Sequence, residues 1–205
     1  MSKLLIATTN AGKLAELKAL LADSALVLTD LGEVGLELDV EEDGPDYDAI
    51  AYDKARRYAA ASGLWAVADD TGLEVDALGG APGVFSARQA GDDRARRAKL
   101  LERLAGVPRP WKARFRCAVA LASPQGVALI GRGACEGEVI SQERGQHGFG
   151  YDPIFLVAGT GRTMAELPLE EKNHLSHRAR AVADLLHRLE KGELPEAPPS
   201  PHHPA

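Results

Sequence analysis

Lys3-Leu4-Leu5-Ile6-Ala7-Thr8-Thr9-Asn10-Ala11-Gly12-Lys13 opens on an apolar run, turns through two threonines and an asparagine, and reaches a glycine and a lysine. The run over 3–8 predicts a short buried strand, ended by Thr9 and Asn10. Beyond Lys13, Leu14, Leu17 and Leu21 recur on one helical face. Strand, polar glycine turn, helix is the opening of an α/β unit, and it sets the fold class. The same turn is a candidate anion site. A helix N-terminus carries unpaired N–H groups and partial positive charge, Gly12 permits close backbone approach, and the threonines, Asn10 and Lys13 bring donors. A helix cap with an exposed lysine fits the same residues. The spacing is not that of a P-loop, which needs two glycines and Lys-Ser/Thr.

Working outward, a second helix is predicted over Asp46 to Ser62, where Ala51, Ala55, Tyr58 and Ala59 share a face. Trp65 to Ala68 reads as a compact strand running into Asp69-Asp70-Thr71-Gly72 as a turn, with a further strand over Leu73, Val75 and Ala77. A helix follows over Asp92 to Leu104. Strands over Arg114 to Ala122 and Val127 to Gly133 are separated by the turn Ser123-Pro124-Gln125-Gly126. In the last helix Val182, Leu185, Leu186 and Leu189 recur at i, i+3, i+4 and i+7, and Gly192 marks its end. Past Glu193 stand five of the 12 prolines and almost no large apolar group, the composition of a disordered tail. The expected organisation is one domain over 1–192 and a Pro-rich tail over 193–205.

Composition narrows the function classes. The chain has 205 residues, 45% hydrophobic and 26% charged, which suits one globular domain or two lobes on a shared core. A formal charge of −6 argues against indiscriminate nucleic-acid binding. The nine basic residues from Arg94 to Arg116 read as solvated helix and strand faces. Cys117 and Cys135 cannot build a disulfide framework, and reduced thiols fit a cytoplasmic protein. The opening apolar run is too short for a signal peptide, and no stretch approaches the ~20 apolar residues that span a bilayer.

Four further groups could carry chemistry. Asp69-Asp70, at what reads as a strand end, could hold Mg²⁺ through oxygen ligands, or one of them could take a proton from water; the alternative is an acidic turn. Residues 41–53 hold six acidic side chains and no basic one. Asp46 and Asp48 suit the first turn of a helix, whereas Glu41, Glu42 and Asp43 precede it and could supply a second metal ligand or plain solvated surface. Gly145-Gln146-His147-Gly148-Phe149-Gly150-Tyr151-Asp152-Pro153 combines glycines and aromatics as a base-stacking platform would, or as a tight hairpin with core aromatics would. Lys172, His174, His177 and Arg178 lie just before or at the start of the last helix, where they could bind carbonyl oxygens or a polar ligand.

The order of these motifs resembles one family. Thr-x-Asn-x-Gly-Lys, Ala-Asp-Asp-Thr-Gly-Leu, Gly-Gly-Ala-Pro-Gly-Val-Phe-Ser-Ala-Arg, Gly-Phe-Gly-Tyr-Asp-Pro-Ile-Phe and Glu-Lys-Asn-x-x-Ser-His-Arg, spread over about residues 1 to 191, resemble the inosine triphosphate pyrophosphatases, the bacterial dITP/XTP pyrophosphatases. The resemblance implies an α/β fold with a long twisted mixed sheet flanked by helices, two lobes and a cleft between them. It implies a cytoplasmic homodimer that uses Mg²⁺ to hydrolyse ITP, dITP and XTP to the monophosphate and pyrophosphate; a nucleotide sensor without turnover is the rival reading. By the same resemblance, Thr8, Thr9, Asn10, Ala11, Gly12 and Lys13 cradle the triphosphate and Thr71 contacts substrate. Asp70 is the general base and a metal contact, with Glu41 and Asp69 as metal ligands. Phe149, Gly150, Tyr151, Asp152, Lys172, His177 and Arg178 form the base pocket. Donors aimed at the purine 6-oxygen would reject adenine, whose 6-amino group is itself a donor.

One departure stands out. Many bacterial members read Ser/Thr-Phe-x-Glu-Asn-Ala before Lys-Ala, whereas here Ala49 and Ile50 replace Glu-Asn. Asp46 or Asp53, about one helical turn either side of Ala49, is the expected compensation.

Overall fold

The structure is a computed structural model that describes residues 3–22, 24, 26–86 and 91–193. The expected tail over 194–205, and Ala87 and Arg88 of the Gly-Gly-Ala-Pro motif, lie outside the described residues. The opening unit folds as its sequence dictates. Strand β1 (Lys3–Ile6) buries its last three residues, and α1 (Ala11–Leu20) starts at Asn10, whose side chain caps the helix by accepting from the Lys13 N–H. Strand β2 (Val27–Asp30) returns parallel to β1. Helix α2 (Tyr47–Ser62) is capped by Asp46 and ends at Gly63, which adopts a left-handed conformation.

Strand β3 (Trp65–Val75) differs from the sequence expectation. It runs through Asp69-Asp70-Thr71-Gly72 without a turn, so the two strands expected here are one, and Ala77 falls in a 3-10 turn over Asp76–Leu78. Gly72 makes this possible. A Cβ there would collide with the Gly83 carbonyl and lie 2.7 Å from the Tyr47 hydroxyl, so only a bare Cα lets the strand pass beneath the 80–86 turn.

The rest of the chain extends the sheet and covers it. Strand β4 (Pro82–Gly83) pairs with β3, and α3 (Asp93–Arg103) leads to the long antiparallel pair β5 (Trp111–Ala122) and β6 (Ala128–Val139). Strand β5 starts three residues before its expected start, and β6 runs six residues past its expected end. Strand β7 (Phe155–Val157), α4 (Leu169–Leu175) and α5 (His177–Glu190) complete the chain. Lys172 and His174 therefore sit on a separate short helix, because Ser176 breaks the path and caps α5.

The sheet order is β2-β1-β3-β5-β6-β7 with β4 beside β3; the β1 pairings are parallel and the others antiparallel. Its apolar residues form three cores. At one end of the long strands, the α2 face packs Ala51, Ala55 and Tyr58 on Ala66, Ala68 and Ala118. The opposite face packs Leu17, Val182 and Leu185 on Val67, Cys117 and Val119. At the other end Leu73, Val75, Phe115 and Val139 meet Leu100 of α3, Phe155 and Met164. Strands β3, β5 and β6 thus run through both lobes, and Asp70 lies between the cores. Among the described residues no helix is long and apolar enough to cross a membrane.

Candidate active site

Between the lobes lies a cleft of about 410 Å³, lined in part by Thr8, Thr9, Asn10, Lys13, Asp70, Thr71, Phe149, Gly150, Tyr151, Asp152, Lys172 and His177. These come from the turn after β1 and the first turn of α1, the middle of β3, the 145–153 loop and the two final helices. Ala11 and Gly12 sit in the first turn of α1 behind the lining residues. Gly12 serves by having no side chain: a Cβ there would lie 2.7 Å from Phe149 Cε1, so its absence seats the ring on the helix.

Alternation along β3 separates the adjacent aspartates. Asp69 is fully buried and points away from the cleft lining, its Oδ2 bonded to Arg178 Nε at 3.1 Å and Nη2 at 2.8 Å, to the Thr71 hydroxyl at 2.9 Å, and paired with Lys13 at 3.2 Å. Burial alone would raise its pKa; Arg178, Lys13 and Lys54 outweigh burial and hold it ionised well below the ordinary carboxylate range. Asp70, 5% exposed, faces the cleft. Burial pushes its pKa up to about 6, with Lys13 and Lys54 pulling down and Glu42 and Asp69 pushing up. Its Oδ2 is buried and has no hydrogen-bond partner.

On the opposite wall, sequence reading offered Glu42 but missed Lys54. Lys54 of α2 is buried, donates to Glu42 Oε1 at 2.6 Å and to the Asp69 carbonyl at 3.0 Å, and lines the cleft together with Glu42. Lys54 was legible in one respect, since it interrupts the apolar stripe Ile50, Ala51, Ala55, Tyr58 and Ala59. Asp93 and Arg96 of α3 and Phe115 of β5 also line the cleft.

Behind the side of the cleft formed by the 145–153 loop runs a buried chain of alternating charge. Arg178, fully buried, joins Asp69 to Glu16; Lys172 joins Glu16 at 2.8 Å to Asp152 at 2.6 Å; and Asp152 accepts from the Phe149 N–H at 2.9 Å. Burial lowers the Lys172 pKa, yet Asp152 and Glu16 raise it further and keep the ammonium charged. His177 is buried and stacked on Phe115 at 4.7 Å; burial, with the charges of Arg178 and Lys172, pulls its pKa well below the ordinary value, so it is neutral at physiological pH, and its Nδ1 has no partner.

Three expected placements change. Glu41 is exposed and outside the cleft lining, where its neighbour Glu42 stands instead, because Lys54 draws Glu42 inward. Asp69 does not share a face with Asp70, and its carboxylate is engaged by cations behind the strand. Arg178 lies under the cleft wall instead of lining it. The expected compensation for Ala49 and Ile50 is also absent from the cleft: Asp46 caps α2, and Asp53 pairs with Arg56 and Arg57.

Among the described residues no group of three or more His, Cys, Asp or Glu could hold a metal. Mg²⁺ requires fewer, since it retains waters and binds through one or two carboxylates plus substrate phosphates. The unpartnered Asp70 oxygen, with Glu42 near enough to raise its pKa, is a donor set that fits such an ion.

Residues 4–188 match the model of the Ham1 family. The chain belongs to the Ham1 family. It is 47% identical over 193 residues to a dITP/XTP pyrophosphatase of Geobacter sulfurreducens, covering 92% of this chain and 97% of that one. A protein of the same name from Bacillus subtilis is 43% identical over 194 residues, covering 93% and 98%. Among solved structures, a HAM1 protein from Coxiella burnetii matches with a TM-score of 0.82 at 41% identity, covering 93% of this chain and all of that one.

Proposed function

We propose that this Ham1 family member hydrolyses non-standard purine nucleoside triphosphates, ITP, dITP and XTP, to the monophosphate and pyrophosphate, as a Mg²⁺-dependent cytoplasmic homodimer. The dITP/XTP pyrophosphatases named above support the substrate class. The observation that carries the chemistry is Asp70, a buried carboxyl with a pKa of about 6 and an unpartnered oxygen, on a cleft that also holds Lys13 and Lys54.

In this reading Asp70 accepts a proton from the water that attacks the α-phosphorus, and the bond to the β-phosphate oxygen breaks as pyrophosphate leaves. A pKa near 6 leaves Asp70 largely ionised at neutral pH yet more basic than an exposed aspartate. Lys13, with the Thr8–Gly12 turn, holds the triphosphate, and Lys54 faces the same charge from α2. Mg²⁺, held by Asp70 and Glu42, would neutralise phosphate charge. Phe149 stacks on the base, and Tyr151, Asp152, Lys172 and His177 enclose its polar edge. Arg178 and Asp69 are positioning residues that act from beneath.

The test is pyrophosphate release from ITP, XTP, GTP and ATP with Mg²⁺, for wild type and Asp70→Asn. Release from ITP and XTP by wild type but not by the variant is expected. Tight ITP binding without turnover would overturn the reading in favour of a sensor. Sedimentation of the full chain tests the dimer.

A further inference from the structure

Helix α3 bears no residue of the proposed chemistry, yet two of its side chains grip the purine loop. The Gly150 N–H donates to Asp93 Oδ2 at 2.7 Å, and the Gly150 carbonyl accepts from Arg97 Nη1 at 2.8 Å. Residues 93 and 97 stand four apart on the helix and so share a face. Each partner is itself fixed. Arg97 reaches Glu143 through two parallel bonds, Nε to Oε1 at 2.9 Å and Nη2 to Oε2 at 3.0 Å, while Asp93 Oδ1 accepts from Arg96 Nη1 at 2.8 Å.

Gly150 has a φ of +62° and is the joint between Phe149 and the rest of the base pocket. Glycine has more backbone freedom to lose than any other residue, and here the peptide planes on both sides of it are pinned by charged groups. We infer that Asp93 and Arg97 are positioning residues for nucleotide recognition, holding Phe149 in its stacking pose before the base arrives. The inference rests on the functional reading above. Ordering the loop in advance removes an entropic cost from binding the base and leaves the phosphate subsite untouched.

The test separates those two subsites. Inosine monophosphate carries the base, and imidodiphosphate, a non-hydrolysable pyrophosphate mimic, does not; dissociation constants for both are measured by calorimetry with the full chain. Asp93→Ala and Arg97→Ala each weaken inosine monophosphate by roughly tenfold while imidodiphosphate changes by less than about twofold, the scale expected for one charge-assisted hydrogen bond. Asp93→Asn, which retains an acceptor for the Gly150 N–H, restores most of the binding, and Arg97→Lys keeps one donor should the alanine variant fail to fold. In turnover, KM for ITP rises and kcat holds. Wild-type affinity in both alanine variants, or equal weakening of both ligands, would overturn the inference. If wild type binds inosine monophosphate but does not hydrolyse ITP, the functional reading fails and a selective loss in the variants still supports the clamp. If wild type binds no inosine monophosphate, both fall.

Discussion

Asp70→Asn should abolish turnover and stabilise the fold. A buried carboxyl with a folded pKa of about 6 and an ordinary value of 3.8 binds its proton more tightly when folded. Relative to its protonated form it therefore costs nothing below 3.8, destabilises the fold increasingly as pH rises between the two values, and reaches its full penalty above about 6. At about 1.4 kcal/mol per pH unit, the penalty at neutral pH is about 3 kcal/mol. Asparagine has nearly the same shape and no charge to desolvate, so the variant escapes that cost. In a domain of this size the gain corresponds to roughly 6–12 °C in thermal midpoint. Urea unfolding of wild type and variant, with a chelator present, at a series of pH values from about 4 to about 8 gives the measurement. The variant should be more stable at the alkaline end, with the gap closing as pH falls. Equal stability near pH 7.5, or a gap independent of pH, would show that Asp70 is not a desolvated carboxylate and would remove the physical basis for its role as base.

The acid limb of kcat/KM for ITP should rise with pH and level off above about 6, and Lys54→Met should move that limb to higher pH, because Lys54 holds the Asp70 pKa down. A wild-type profile flat from about pH 5 to about pH 8 would contradict this. Gly12→Ala should raise KM for ITP about tenfold by displacing the Phe149 ring while helical content by circular dichroism is unchanged, since alanine favours the helix by about 1 kcal/mol over glycine. Arg178→Met should cost about 3–5 kcal/mol in urea unfolding, because it removes the buried cation shared by Asp69 and Glu16 and leaves each carboxylate paired with a lysine alone; a loss under about 1 kcal/mol would mean the charge chain is not cooperative.

Much of this was legible in the chain. The 3–13 unit, α2, the β5–β6 hairpin and α5 follow from periodicity and caps, and the 145–153 segment stands out by its glycines and aromatics. What escaped depended on tertiary contact. Asp69-Asp70-Thr71-Gly72 has the composition of a turn, and its unbroken pairing with β5, from Asp69↔Val119 to Gly72↔Arg116, keeps it extended. Glu41 and Glu42 are indistinguishable as letters; Lys54, twelve residues on, selects Glu42. Strand β2 has four residues, one of them buried, too few for a pattern to form. Asp93 and Arg97 read as an ordinary charged helix start because their partner, Gly150, lies more than fifty residues away.

The continuity of β3 has a mechanical consequence. Three strands of eleven or twelve residues bridge the lobes, with unbroken pairing from Ala66↔Ala122 to Val75↔Ala113 and from Trp111↔Val139 to Ala122↔Ala128. Bringing the lobes together would mean bending or twisting that ladder along its length, with Asp70 near its middle. Any change in the width of the cleft is therefore carried by the sheet itself and not by a flexible linker between the lobes.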